Sequence, residues 1–337
     1  MAAYLWVMRN RVVVAMGGYS SERGISLASG QFMLDALSNT TFDCIGLDLI
    51  PSADGSHDHW KATASDGKAL TVDWESLLID GQKPDVVLNM VHGSPGEDGW
   101  LSQHLDQRQI PHSSCRGPQA LLTFHKAKNN EVAKQHGAHV ALAIVVSSKD
   151  DAESLMPRLQ NLQLPVFVKP ARSGSSYGIT RLTDWSDLPG ALEVAAKEDD
   201  DILIEQGVSG IELACGIARL DGRLRILGLT EIVPESDFFD YHAKYEGAAL
   251  EITPARISKQ ASDDITALTR SLYDGMQLKG LCRMDYILPA SGKATLIEIN
   301  SVPGMSPASI VPKQIEASDM AMHEFLTLLI QQALTDG

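Results

Sequence analysis

At 337 residues the chain exceeds what one ordinary hydrophobic core organises, so two or three packed units of about 100–150 residues are expected. Hydrophobic residues make up 44% and charged residues 21%, and no run approaches the ~20 apolar residues that span a bilayer, which excludes membrane-embedded and disordered chains. The formal charge of -15, without any Lys/Arg run, argues against nucleic acid as a partner, although local cations and backbone amides can still hold a small polyanion.

Near the start, Arg9 and Arg11 follow a very short apolar run, the wrong order for a secretory signal. Cys44, Cys115, Cys215 and Cys282 are scattered without CxxC spacing and read as buried free thiols in a reducing cytoplasm. In chain order, 12–15 reads as a strand, 26–37 as a helix, and 44–49 and 85–90 as strands. This alternation predicts a parallel sheet with crossover helices. Two of its strands run into turns, Gly17-Gly18-Tyr19-Ser20-Ser21-Glu22 and His92-Gly93-Ser94-Pro95-Gly96-Glu97-Asp98-Gly99. Such turns lie at the carboxyl ends of parallel strands, where ligands bind.

A second unit begins near Gly117-Pro118, with a helix over 119–136 and strands near 140–146, 166–169 and 202–205. The strand over 166–169 ends in Lys169 and opens into Pro170-Ala171-Arg172-Ser173-Gly174-Ser175-Ser176-Tyr177-Gly178. Small residues let backbone N–H groups close on phosphate oxygens, and the lysine adds a point charge. Taken alone, the loop reads more often as a flexible turn. Neither GxxxxGK[ST] nor GxGxxG occurs, which sets aside a P-loop and a hydride-transferring Rossmann enzyme. Glu205 and, past a turn, Glu212 are suited to accept from an adenine amino group or a ribose hydroxyl, or else sit exposed at a strand edge.

In the third unit, strands are expected near 211–219 and 225–232, and a helix over 259–274 with Ile265, Leu268 and Leu272 on one face and Gly275 placed to end it. Between them the aperiodic segment 234–254 reads as a lid or as an anchored surface loop. A last helix is expected over 318–335, capped by Ser318 or Asp319. Residues 281–287 and 294–300 alternate apolar and polar side chains about a turn at Ser291-Gly292, a hairpin pattern. That turn places Asp285 opposite Glu298 and Arg283 opposite Asn300. Facing carboxylates repel, so they call for a shared proton or a cation, and Asp, Glu and Asn oxygens suit Mg²⁺. The spacing alone fits equally a solvated polar face.

Taken together and in order, Gly17-to-Leu27, His92-to-Gly99, Val168-to-Gly178, Glu231-Ile232-Val233-Pro234, Asp240-Tyr241-His242-Ala243-Lys244-Tyr245, Arg283-Met284-Asp285 and Glu298-to-Met305 closely resemble the D-alanine:D-alanine ligases, a branch of the ATP-grasp superfamily. The resemblance runs from about residue 12 to about residue 316. It implies an α/β ATP-grasp fold preceded by a parallel-sheet domain: an N-terminal substrate domain (1–117), a central subdomain (118–210) and a C-terminal subdomain (211–337) with the Mg-binding hairpin and the lid. His125 stands where an aspartate commonly precedes the phosphate-binding lysine, and Gln206 and Gly207 replace residues that often flank the adenine.

By the same resemblance, Lys126 and Lys169 would hold ATP phosphates, Ser176 would also bind ATP, Glu205 and Glu212 would contact the adenine and ribose, and Asp285, Glu298 and Asn300 would hold two Mg²⁺, with Mn²⁺ as a substitute. Glu22 would bind the first D-alanine ammonium, with Ser175 and Tyr245 completing a hydrogen-bonded triad. Arg283 and the Gly304 N–H would stabilise the oxyanion, and Ser309 and Lys244 would hold the second carboxylate or the transferring phosphate. His92 and Ile310 would contact substrate. The implied reaction activates one D-alanine as an acylphosphate and joins it to a second for peptidoglycan precursors, in a cytoplasmic homodimer. D-lactate or D-serine as second substrate, or nucleotide binding without ligation, are the alternatives; Tyr245 and Ile310 favour D-alanine.

Overall fold

The computed structural model describes residues 9–52, 59–174, 177–234 and 249–336. Strand β1 (Arg11–Gly17) lies parallel to both β2 (Asp43–Leu49) and β7 (Val86–Asn89), while β3 (Trp60–Ala64) and β4 (Ala69–Leu70) extend the sheet in the order β4-β3-β2-β1-β7. β1 and β7 are apolar and buried almost throughout, as parallel strands covered on both faces must be. Short β5 (Val72–Asp73) and β6 (Leu78–Ile79) pair with each other alongside.

Beyond β1, Gly17 and Gly18 take φ of +87° and +95°, the left-handed region that glycine enters without steric cost. The sharp turn delivers Glu22 to the N-terminus of α1 (Arg23–Leu37). On the buried face of α1, Ser26 Oγ accepts Gly17 N–H at 2.8 Å and donates to Met90 O at 2.6 Å, tying the ends of two strands to one helix. After β7, the second turn leads into α2 (Trp100–Gln107).

The next helical stretch is two helices, α3 (Gly117–Phe124) and α4 (Lys126–Gln135), where one was expected. His125 has φ -92° and ψ 96°, an extended conformation that breaks the helix and makes Lys126 the first residue of α4. β8 (His139–Val140) follows, then a four-stranded antiparallel sheet of β9 (Ala143–Ser147), β10 (Val166–Pro170), β11 (Thr180–Leu182) and β12 (Asp201–Gln206) in the order β11-β10-β12-β9. Its period-2 alternation sends Val166, Val168, Ile202 and Ile204 into a core with Leu155 and Leu159 of α5 (Ala152–Leu159) and Leu188 and Leu192 of α6 (Leu188–Ala195). Phe167, Lys169 and Glu205 are left on the opposite face.

The third sheet runs β15-β14-β13-β16-β17-β8, from β13 (Ile211–Leu220), β14 (Arg223–Pro234), β15 (Ala249–Ile252), β16 (Leu281–Leu288) and β17 (Thr295–Asn300), with β8 parallel to β17. Helix α7 (Lys259–Gly275) lays Ile265 and Leu272 against one face, burying them with Leu213, Cys215 and Tyr286. Gly275 does not end α7 by a left-handed turn; the positive φ falls on Gln277 (56°), and a Cβ on Gly275 would lie 2.4 Å from His136 Nδ1, so close packing accounts for the glycine. The C-terminal helix also differs from expectation. Ser318 and Asp319 cap no helix start: Ser318 terminates α8 (Ile310–Ala317), Asp319 turns the chain at φ 59°, and α9 (Met322–Asp336) begins after them. Phe325, Leu326, Leu329 and Ile330 of α9 join Val12, Val14, Val86 and Leu88 of the first sheet to Ala218 and Leu220 of the third in one core. Truncating Phe325 to alanine there costs about 3–5 kcal/mol.

Candidate active site

Strands β16 and β17 pair as their alternation requires: Arg283 faces Asn300 and Asp285 faces Glu298. The register shifts by one residue between Asp285 and Tyr286, so the half of the hairpin next to its turn is offset from the expected pairing. The two carboxylates are held in a lattice of donors. Arg283 Nε and Nη2 grip both oxygens of Asp285 at 2.8 and 2.7 Å, Asn300 Nδ2 donates to Asp285 at 3.1 Å and to Glu298 at 3.3 Å, and Lys126 Nζ lies 3.4 Å from Glu298 Oε2. Protein cations thus offset the repulsion that the strand pairing creates.

Asp285, Glu298 and Lys126 line a cavity of about 590 Å³ between the second and third sheets, together with Lys169, Glu205 and Glu212. In it, six of the residues expected at the nucleotide and metal site come together. Lys169 Nζ bonds Glu205 Oε2 at 2.6 Å, while the buried Glu205 Oε1 has no hydrogen-bond partner among the described residues. A buried acceptor left unsatisfied costs about 1–3 kcal/mol, which a ligand donor such as an exocyclic amine would recover. Phe167, Ile179, Val208, Ile287 and Ile297 give the cavity apolar walls suited to a planar base. Gln206 is turned away to bond the backbone of Gln163 in both directions, at 2.6 and 2.5 Å, and a Cβ on Gly207 would lie 2.7 Å from Pro165 O.

The loop after Lys169 is fixed by Arg172, whose guanidinium pairs with Asp199 and with Asp201 at 2.9 Å; the Asp199 hydrogen bond raises its pKa further. Lys126 reaches this loop too, donating from Nζ to Ser173 O and from its backbone N–H to Ala171 O. Behind it His125 Nε2 lies 3.7 Å from Asp201, and burial, aided by Lys128 and Arg172, depresses the imidazole pKa. His125 is therefore a neutral neighbour of Lys126 near pH 7.

The substrate side of the expected site is assembled from other elements. Glu22 is buried, and a Cβ on Gly174 would lie 2.4 Å from Glu22 Oε2, so the Ser/Gly loop closes directly over this carboxylate. Gly304 and Ser309 are adjacent: a Cβ on Gly304 would fall 2.7 Å from Ser309 Oγ. Ile310 is buried against Ala214 and Ile232. His92 is buried with Nδ1 2.8 Å from Val302 O and Nε2 3.2 Å from Ser29 Oγ, so protein groups meet both ring nitrogens. Ser175, Ser176, Lys244 and Tyr245, and most of the expected lid, lie outside the described residues.

Glu97, in the turn after β7, has no role expected from the sequence. It is buried, accepts Gly93 N–H at 2.8 Å, and has its pKa pushed up to about 8, first by desolvation and then by the charge of Glu22. Nothing in the motif signals this, because burial is a property of the fold.

Among the described residues no group of three or more His, Cys, Asp or Glu side chains forms a metal cage, and no helix is long and apolar enough to cross a membrane. The two carboxylates on the hairpin, beside a cavity with two lysines, fit a hard cation that arrives with phosphate and takes few protein ligands; Asn300, whose Nδ2 faces them here, would add its oxygen only with the amide turned over.

Comparison with known proteins agrees with this architecture. Residues 11–115 match the family model described as D-ala D-ala ligase N-terminus, and residues 133–331 the one described as D-ala D-ala ligase C-terminus. The D-alanine--D-alanine ligase of Flavobacterium johnsoniae is 34% identical over 331 residues, covering 97% of this chain and 100% of that protein. That of Porphyromonas gingivalis strain W83 is 34% identical over 329 residues, covering 96% and 98%. Among solved structures, the VanG D-Ala:D-Ser ligase from Enterococcus faecalis superposes with a TM-score of 0.82 at 26% identity, covering 96% of this chain and 99% of that one. D-alanyl-alanine synthetase A from Vibrio cholerae gives 0.82 at 25% identity, covering 97% and 99%. With both halves matched in order and relatives aligned over nearly their whole length, the chain belongs to the D-alanine–D-alanine ligase family.

Proposed function

We propose that this protein joins two D-alanines to D-alanyl-D-alanine with conversion of ATP to ADP and phosphate, supplying a peptidoglycan precursor. The observation that carries the reading is the single cavity on which Lys126, Lys169, Glu205, Glu212, Asp285 and Glu298 converge in a chain of this family. The base sits between the apolar walls with Glu205 accepting its amino group, Glu212 takes the ribose, the two lysines hold phosphates, and Ser176 also contacts ATP. Asp285, Glu298 and Asn300, the last with its amide turned to present oxygen, bind two Mg²⁺, which neutralise phosphate charge when bound.

Glu22, with Ser175 and Tyr245, fixes the ammonium of the first D-alanine, so its carboxylate is free to attack the γ-phosphorus as ADP leaves. The free amine of the second D-alanine, held by Ser309 and Lys244 with Ile310 nearby, then attacks the acyl carbon. Arg283 and the Gly304 N–H stabilise the oxyanion until phosphate departs. The expected lid narrows to the residues between β14 and β15, because Ala249–Ile252 is itself a strand of the third sheet, and it serves to keep water from the acylphosphate. The same reading carries the three-unit division at 117 and 210, a homodimer and a cytoplasmic setting.

Phosphate release is measured with ATP, Mg²⁺ and D-alanine alone, then with D-lactate or D-serine added, beside Glu298→Gln. Release with D-alanine alone and its loss in the variant are expected. ATP binding without release would sink the ligase reading, a requirement for D-lactate or D-serine would reassign the second substrate, and full activity of Glu298→Gln would sink the metal assignment.

A further inference from the structure

Ser29 and His92 belong to the first sheet and its helix, yet their side chains end on the loop that follows β17 in the third. A carbonyl only accepts, so the 2.8 Å contact with Val302 O makes Nδ1 the donor, and a ring with a single proton carries it there. Nε2 is then an acceptor, and the Ser29 hydroxyl 3.2 Å away donates to it. The serine oxygen in turn accepts Met305 N–H at 3.1 Å. The hydrogen bonds run one way, from Met305 through Ser29 and His92 to Val302, and all four residues are buried.

What this path encloses is Pro303-Gly304. Proline fixes its own φ, but a glycine in a loop has no intrinsic reason to aim its N–H in one direction. Here the carbonyl before the pair and the N–H after it are both clamped from outside the loop. The clamp starts on α1, the helix that also carries Glu22 at its N-terminus, so the ammonium-binding carboxylate and the anchor of the loop share one rigid element. Ser26, one turn earlier, makes the same kind of two-way bond to Gly17 and Met90, which holds α1 in place.

We infer that Ser29 and His92 are positioning residues that hold residues 302–305 so that the Gly304 N–H faces the oxyanion, and that His92 acts through this loop and not through contact with substrate. The inference rests on the oxyanion role proposed above for Gly304. It is tested with Ser29→Ala, His92→Ala and His92→Asn, whose amide nitrogen can replace Nδ1 as donor to Val302 O. Three quantities are read: steady-state dipeptide synthesis, affinity for a phosphinate mimic of the tetrahedral intermediate, and hydrogen exchange of the Met305 amide in the substrate-free protein.

Ser29→Ala is expected to lower kcat and weaken the phosphinate about 10- to 100-fold, while the KM for ATP stays within about twofold. Met305 exchange speeds up in the same variant, and His92→Asn recovers part of the activity lost in His92→Ala. Unchanged Met305 exchange in Ser29→Ala would overturn the clamp. Wild-type phosphinate affinity in Ser29→Ala or in His92→Ala, whatever the loss of stability, would reduce the pair to scaffold and overturn the inference. If wild-type protein makes no dipeptide, the ligase reading fails together with the catalytic half of this one; if it does and the variants match it, only this inference fails.

Discussion

Lys169 Nζ lies 2.6 Å from Glu205 Oε2, and the two side chains are 6% and 5% exposed. Neither charge can fall back on water, so each depends on the other. Replacing Lys169 by alanine is expected to cost about 3–5 kcal/mol by stranding the carboxylate. Replacing both should cost clearly less than the sum of the single changes, a non-additivity that denaturant unfolding of all four proteins measures. Simple addition would show that the pair is not coupled.

Arg283 uses two nitrogens of its planar fork on the two oxygens of Asp285. A lysine has the charge but not the fork, so Arg283→Lys is expected to lower kcat on the order of 100-fold while the protein stays folded. Dipeptide synthesis beside a thermal melt checks this; a fully active variant would remove Arg283 from the oxyanion site.

Glu97 gives the stability curve a sign opposite to that of most acids. Its folded pKa, pushed up to about 8, lies above the ordinary 4.5, so between these values the folded chain keeps a proton that the unfolded chain has lost. Stability therefore falls as pH rises through that window and stops falling above it. Glu97→Gln should flatten this part of the curve, which urea unfolding at pH of about 5, 7 and 9 would show. A slope identical to wild type would mean that Glu97 ionises normally.

The four thiols are all buried, and burial pushes Cys44 up to about 11 and Cys215 up to about 12. Cys115 goes the other way because Cys282 donates a hydrogen bond to it, but it is sealed from solvent. A bulky thiol reagent is expected to label none of them in native protein at mildly alkaline pH and all four after unfolding. Rapid native labelling of any one would contradict its placement.

The sequence was legible where local pattern decides the outcome. Period-2 alternation gave the Asp285–Glu298 and Arg283–Asn300 pairings, and apolar runs gave the parallel strands β1, β2 and β7, whereas β3 and β4, which extend the first sheet antiparallel, were not expected. It was not legible where distant groups decide. The helix expected over 119–136 breaks at His125, which lies beside Asp201 of β12 and the Arg172 guanidinium of the loop after β10. The start of α9 moved because α8 and the left-handed Asp319 take up the residues read as its cap. Nothing in the sequence marks Glu97 or Ser29, since only the fold buries them and supplies their partners.

Helix α4 is fastened at both ends to the same strand. At its first residue Lys126 meets Glu298 of β17, and just past its last turn β8 pairs with Thr295 and Leu296 of β17. A splint bound at two points neither slides nor swings against what it supports. Lys126 is thus in registry with the carboxylate ladder and, through Ala171 and Ser173, with the loop that leaves Lys169 on the second sheet. It acts as a rivet between the two sheets, and a triphosphate spanning both lysines would lie across a joint that is already pinned.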